Sequence, residues 1–175
     1  MRLHGINRDV WDRFNSDKPS WEYDVVEAGY KYNMPDLSAA VGLGQLDQAA
    51  LFRDERQKAV EWYYEELKVV AMLDLPICHG NLEDHSWHLF IIVLNESAKI
   101  TRNQFIEKLA GFGIGTSVHY KPLNQFTLFK KMAKSYDKLE ISNMLYDEIL
   151  SLPMYPTIQK SDQNYVIKNI KNGII

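Results

Sequence analysis

Gly29-Tyr30-Lys31-Tyr32-Asn33-Met34-Pro35-Asp36-Leu37-Ser38-Ala39-Ala40-Val41-Gly42-Leu43-Gly44-Gln45-Leu46 is the most informative stretch of this 175-residue chain. Met34 precedes a proline and is pushed out of the helical region, so the loop ends there. Pro35 suits a first helical turn, where its missing N–H is no loss. Asp36 then sets a negative charge at the positive end of the helix. Ala39, Ala40, Gly42 and Gly44 follow, and glycine within a helix implies close approach of another backbone. The stretch thus predicts a polar, aromatic loop at the start of a helix built to pack tightly, as in a site lent to a neighbouring domain or subunit.

Outward from this stretch, helical periodicity continues. Leu37, Ala40, Val41 and Gly44 share one face, and Leu43, Leu46 and Ala50 another. A second helical run covers Gln48 to Val70, either as a continuation of the first or as a separate helix. Leu73 to Pro76 reads as a short strand. Trp87 to Leu94 is apolar on both faces and β-branched, which predicts a central strand. Thr101 and Gln104 have capping-box spacing and open a helix that stops at Gly111 to Gly113. Ile114 to Tyr120 alternates and predicts a half-buried strand. Short helices fill the remainder, the last with Ser161 as its N-cap. The predicted fold class is α+β, a small antiparallel sheet covered by helices. Residues 1–32 read as an aromatic arm and loop, in which Trp11, Phe14, Trp21 and Tyr23 follow no period, and residues 33–175 as the folded domain.

Composition narrows the function. The net charge is -3, with no run of like charge, so the electrostatic footprint of a nucleic-acid binder is missing. Lys130, Lys131 and Lys134 read as solvated helix surface. Cys78 is the only cysteine, which precludes an internal disulfide and is compatible with a reducing compartment. No stretch approaches membrane-spanning length, and no signal peptide is visible. The expectation is a soluble, cytoplasmic protein. His85 and His88 invite a metal reading, but on a strand residues three apart face opposite sides, so no metal is expected. His119 and Tyr120 end a predicted strand where a polar pair often faces a cleft; a strand-end histidine satisfied by a hydrogen bond reads equally well. Tyr155, between Pro153 and Pro156, reads as a packing residue.

The opening stretch closely resembles the Gly-x-Asn-Tyr-Arg-Met-x-Asp-x-x-Ala-Ala-x-Gly loop of the DegT/DnrJ/EryC1/StrS family of pyridoxal-phosphate-dependent nucleotide-sugar aminotransferases. Four further segments resemble that family in order: Arg2 to Asp9, His85 to Phe90, Gly113 to Tyr120 and Ser151 to Pro156. The resemblance implies the C-terminal domain of the type I aminotransferase fold. It further implies a polysaccharide or amino-sugar pathway and a keto-sugar aminated at the expense of a donor such as glutamate. The family's Schiff-base lysine belongs to a large N-terminal domain upstream of the Arg-Leu-His-Gly segment. The chain alone is therefore expected to be inactive, with no catalytic residue of its own and no cofactor bound.

By the same resemblance Lys31, Tyr32 and Asn33 would complete the cofactor site of a partner subunit. Lys31 stands where the family has Asn, and a lysine can serve a phosphate as a point charge; a solvated loop lysine is the plainer reading. His119 and Tyr120 would lie near the sugar nucleotide, in a loop whose last position is Asn124 where the family has His. The partners implied are a second copy, as a dimer or higher oligomer, or a separately encoded N-terminal half. The alternative is a free-standing, non-catalytic remnant or self-associating binding module from a truncated gene.

Overall fold

Two segments that cross as isolated strand bridges, Leu3 with Lys31 and Ile6 with Val25, organise the first part of the chain. The computed structural model describes residues 2–7, 23–132 and 139–173. Trp11, Phe14, Trp21 and Lys134 lie outside them. Contacts divide the chain into two compact units, residues 1–48 and 49–175. The helix after the loop falls in the first of these units.

In the first unit the backbone of Arg2 to Gly5 pairs with that of Val26 to Tyr32. The His4 N–H donates to Tyr30 O at 2.9 Å, and the Tyr32 N–H to Arg2 O at 2.7 Å. Glycine is required where the two segments cross. A side chain at Gly5, whose φ is +74°, would collide with the Glu27 carbonyl, and one at Gly29 with the Gly5 backbone. Helix α1 (Asp36–Leu46) follows, with Pro35 as its N-cap at φ -62° and ψ 148°. Proline thus sits one position before the first helical residue. Its own carbonyl accepts the Ala39 N–H at 2.9 Å. No residue of α1 is buried; Leu37 is 79 % exposed and Leu46 69 %. Gly42 and Gly44 face open space, and no described residue approaches them.

The second unit is a three-stranded antiparallel sheet in the order β1 (Leu73–Asp74), β2 (Phe90–Leu94), β3 (Ile149–Leu152). Leu73 pairs with Leu94, and Phe90 with Leu152. The predicted central strand is central, three residues shorter than expected at its start. It buries Phe90, Ile92 and Leu94 and half-buries Ile91 and Val93. Helices α2 (Ala49–Leu67), α3 (Arg102–Gly111) and α6 (Lys160–Gly173) enclose the core. They contribute Val60, Tyr63 and Leu67, then Phe105 and Leu109, then Val166, Ile167 and Ile170. A two-residue turn separates α1 from α2, so the two helical runs are distinct. The smaller helices α4 (Thr127–Met132) and α5 (Glu140–Glu148) bury no residue.

The capping box at α3 is present in both directions. Ser161 is not a cap: α6 begins at Lys160, and Gln159 offers the carbonyl that receives the Asp162 and Gln163 N–H groups. Tyr155 is 43 % exposed, and its neighbour Met154 packs on the core instead. Ile114 to Tyr120 is not a strand of the sheet. Its burial alternates only from Ile114 to Val118, with His119 half-buried and Tyr120 exposed, and it pairs at one bridge only, Ser117 with Ser151.

Tyr63 gives the core a measurable pH dependence. It is fully buried, its hydroxyl donates to the Pro153 carbonyl at 3.0 Å, and burial pushes its phenol well above the ordinary value. The folded state then holds a proton that the unfolded chain releases above about pH 10. Stability is complete below that pH and falls as pH rises through the window above it, by about 1.4 kcal/mol per unit. The Tyr63→Phe variant should lose about 1 kcal/mol at neutral pH with its hydrogen bond, and lose this part of the alkaline slope. Urea midpoints measured from pH 8 to 11 check both; parallel pH profiles would refute the assignment.

Candidate functional site

The candidate residues fall into two groups, one in each unit. In the first unit the loop Tyr30–Asn33 is held by backbone bonds to Arg2 and His4, which leave its side chains exposed. The rings of Tyr30 and Tyr32 stack with centroids 5.1 Å apart and planes 5° apart. Side chains two residues apart on an extended segment share a face. Tyr32 is therefore taken up by Tyr30, while Lys31 and Asn33 are exposed outside that stack. An exposed ammonium beside an amide can meet a phosphate or carboxylate. The structure thus splits the predicted trio into a stacked aromatic and a polar pair.

In the second unit His119 and Tyr120 are edge-on to one another, with centroids 4.7 Å apart. The His119 Nδ1 lies 2.7 Å from the Ser151 hydroxyl. Ser151 is buried on β3, and its backbone exchanges hydrogen bonds with Ser117 at 2.7 and 3.3 Å. This double tie fixes the histidine at the sheet edge, leaving Tyr120 73 % exposed. Sequence reasoning did not single out Ser151 as a site residue; its position at the head of the Ser-Leu-Pro-Met-Tyr-Pro segment was the available signal. Lys121 carries its ammonium over the Phe126 ring, 5.4 Å from the centroid. Asn124 donates to Asn143 Oδ1 at 3.1 Å, while its own Oδ1 is buried without a hydrogen bond.

His85 and His88 precede β2 and are not on a strand, so the alternation argument against a shared metal does not apply to them. His85 is held locally instead. Its Nδ1 accepts the Trp87 N–H at 2.9 Å, and its ring lies 4.1 Å from that of Trp87. Among the described residues no group of three His, Cys, Asp or Glu side chains could hold a metal ion. Nor is any helix among them long and apolar enough to cross a membrane.

A lysine that forms a covalent link to an aldehyde cofactor needs a desolvated amine. Every described lysine is exposed except Lys171, which is half-buried and paired with Glu66 at 2.8 Å. The described residues therefore do not fit a complete pyridoxal phosphate site.

The sequence model of the DegT/DnrJ/EryC1/StrS aminotransferase family matches residues 1–171. Over 174 residues the chain is 38 % identical to an uncharacterized protein, MJ1066, of Methanocaldococcus jannaschii, covering 98 % of this chain and 44 % of that protein. It is 33 % identical to the spore coat polysaccharide biosynthesis protein SpsC of Bacillus subtilis, with the same coverage of each. Among solved structures it is similar to the putative sugar aminotransferase Spr1654 of Streptococcus pneumoniae in its PMP form. There the TM-score is 0.80 and the identity 29 %, over 98 % of this chain and 42 % of that one. The chain thus spans less than half the length of these relatives and corresponds to their C-terminal portion. Fold, ordered motifs and family match agree: the chain belongs to the DegT/DnrJ/EryC1/StrS aminotransferase family.

Proposed function

We propose that this chain acts as the C-terminal small domain of a pyridoxal-phosphate-dependent aminotransferase that aminates a nucleotide-linked keto-sugar for polysaccharide or amino-sugar synthesis. Lys31 and Asn33 would reach the cofactor phosphate of a partner subunit. His119, held by Ser151, and Tyr120 would face the sugar nucleotide. The observation that carries this reading is the first unit itself. Its loop is clamped by two glycine crossings, yet its side chains are exposed, and the helix that follows has no buried residue among the described residues. Such a clamp orders a loop for use by something else. Pyridoxal phosphate would supply the electron sink for amino transfer. This chain's contribution is a charge for the phosphate, without the lysine for the aldehyde, so no covalent step is assigned to it.

The experiment is an absorbance titration of the purified chain with pyridoxal phosphate, followed by borohydride reduction and mass analysis. The expected result is no trapped adduct on the chain alone. Once a lysine-bearing domain is supplied in trans, cofactor affinity should fall at least about tenfold in the Lys31→Ala variant, as for a lost charge-assisted contact. A stoichiometric adduct on Lys31 or Lys121 would overturn the reading of a chain without its own cofactor lysine. Unchanged affinity in the Lys31→Ala variant would overturn the phosphate role.

A further inference from the structure

Outside both candidate groups, a cleft of about 380 Å³ opens where the N-terminus of α3 meets the C-terminus of α5. Its lining joins Arg102 and Asn103 on one side to Asp147 and Glu148 on the other, over Leu94, Ala98 and Ile100. Arg102 is unusual here. It is only 7 % exposed, its Nε is buried without a hydrogen bond, and it forms no ion pair among the described residues. The Tyr146 ring lies beside it, its centroid 5.2 Å from the guanidinium carbon. The Arg102 Nε is enclosed without an acceptor and only an aromatic ring lies beside the guanidinium, so the terminal nitrogens remain available to an anion. The helix end adds to it. The capping box satisfies the Thr101 and Gln104 N–H groups, which leaves the Arg102 and Asn103 N–H groups as free donors in the positive field of α3.

A simple anion would not satisfy the opposite wall. Asp147 and Glu148 are carboxylates at the C-terminus of α5, where the helix field is already negative and favours a cation. Neither closes on Arg102 as an ion pair. The cleft thus holds a positive pole and a negative pole apart, with an aliphatic floor. The ligand that matches all three is a small zwitterion with an apolar side chain.

We propose that this cleft binds a free aliphatic α-amino acid, its carboxylate on Arg102 and the α3 N-terminus, its ammonium group on Asp147 and Glu148. The site shares no residue with Lys31–Asn33 or with His119–Tyr120 and does not depend on the aminotransferase reading. A bound amino acid would join α3 to α5 and so steady α5, which is otherwise without a buried residue.

The test is calorimetric and NMR titration of the 175-residue chain with L-leucine, N-acetyl-L-leucine, L-leucinamide and inorganic phosphate. Leucine should bind with a Kd of about 1 mM or tighter, and perturb amide signals of residues 101–103 and 146–148. Removing either charge of the ligand should weaken binding at least about tenfold. Arg102→Gln should abolish leucine binding. The double variant Asp147→Asn, Glu148→Gln replaces one exposed and one half-buried carboxylate by amides of the same shape, and should lose discrimination between leucine and its N-acetyl form. No leucine binding, or phosphate binding as well as leucine, would overturn the proposal. Equal binding by the double variant would overturn the ammonium half of it.

Discussion

Replacing Phe90 by Ala should cost the second unit about 3–5 kcal/mol, the range for removing a buried aromatic side chain from a packed core. Phe90 has no solvent exposure and stands at the start of the central strand, paired with Leu152. Its ring meets Tyr63 at 5.1 Å between centroids and Tyr64 at 5.4 Å, the latter edge to face. The substitution therefore removes apolar burial and two aromatic contacts, each worth about 0.5–1.5 kcal/mol beyond area alone. Neither tyrosine is free to follow into the space. Tyr63 is tied to Pro153 O, and the Tyr64 hydroxyl donates to the Pro76 carbonyl. Against a total stability of about 5–15 kcal/mol, this one change takes a large share. Urea unfolding followed by circular dichroism reads it out. A loss under about 1.5 kcal/mol, the scale of a well-accommodated swap, would mean that the core relaxes around the gap.

What the sequence made legible was local. Phe90 to Leu94 announces a strand because five consecutive apolar residues can be buried only where both faces are covered. Thr101 and Gln104 mark a helix start because their bonds span three residues and need nothing from elsewhere. The segment 114–120 shows where this stops. Its alternation correctly orders burial from Ile114 to Val118, yet strand pairing depends on an edge 34 residues on, and only Ser117 meets it. The His119–Ser151 contact was hidden for the same reason. Arg102 looks like any solvated first-turn residue until the fold encloses it and brings the Tyr146 ring of α5 beside its guanidinium. Gly5 and Gly29 divide from Gly42 and Gly44 on the same principle. The first pair is explained by a crossing within the chain, and the second faces space that no described residue fills.

That open helix face leads to the second large effect. The chain should self-associate, and the double variant Leu37→Glu, Val41→Glu should weaken association at least about 100-fold, as expected when two apolar side chains of about 1.5–3 kcal/mol each leave an interface. Leu37 and Val41 are one turn apart on α1 and both are well exposed. Ala40 and Gly44 lie on the same face, where small side chains let a second helix come close. The substitutions should not unfold the donor helix. Glutamate is a good helix former, and position 37 lies in the first turn, where the dipole favours negative charge. Since no residue of α1 is buried by the described residues, far-ultraviolet circular dichroism should be unchanged while sedimentation equilibrium shifts towards monomer. A parent chain that stays monomeric at high concentration would remove the basis for a paired site. A double variant that associates as the parent does would move the interface to another surface, such as the exposed apolar side of α4 and α5, where Leu128, Met132 and Ile141 are also uncovered. Either result bears on Lys31, because a loop clamped next to α1 can serve a partner's phosphate only if α1 is where the partner sits.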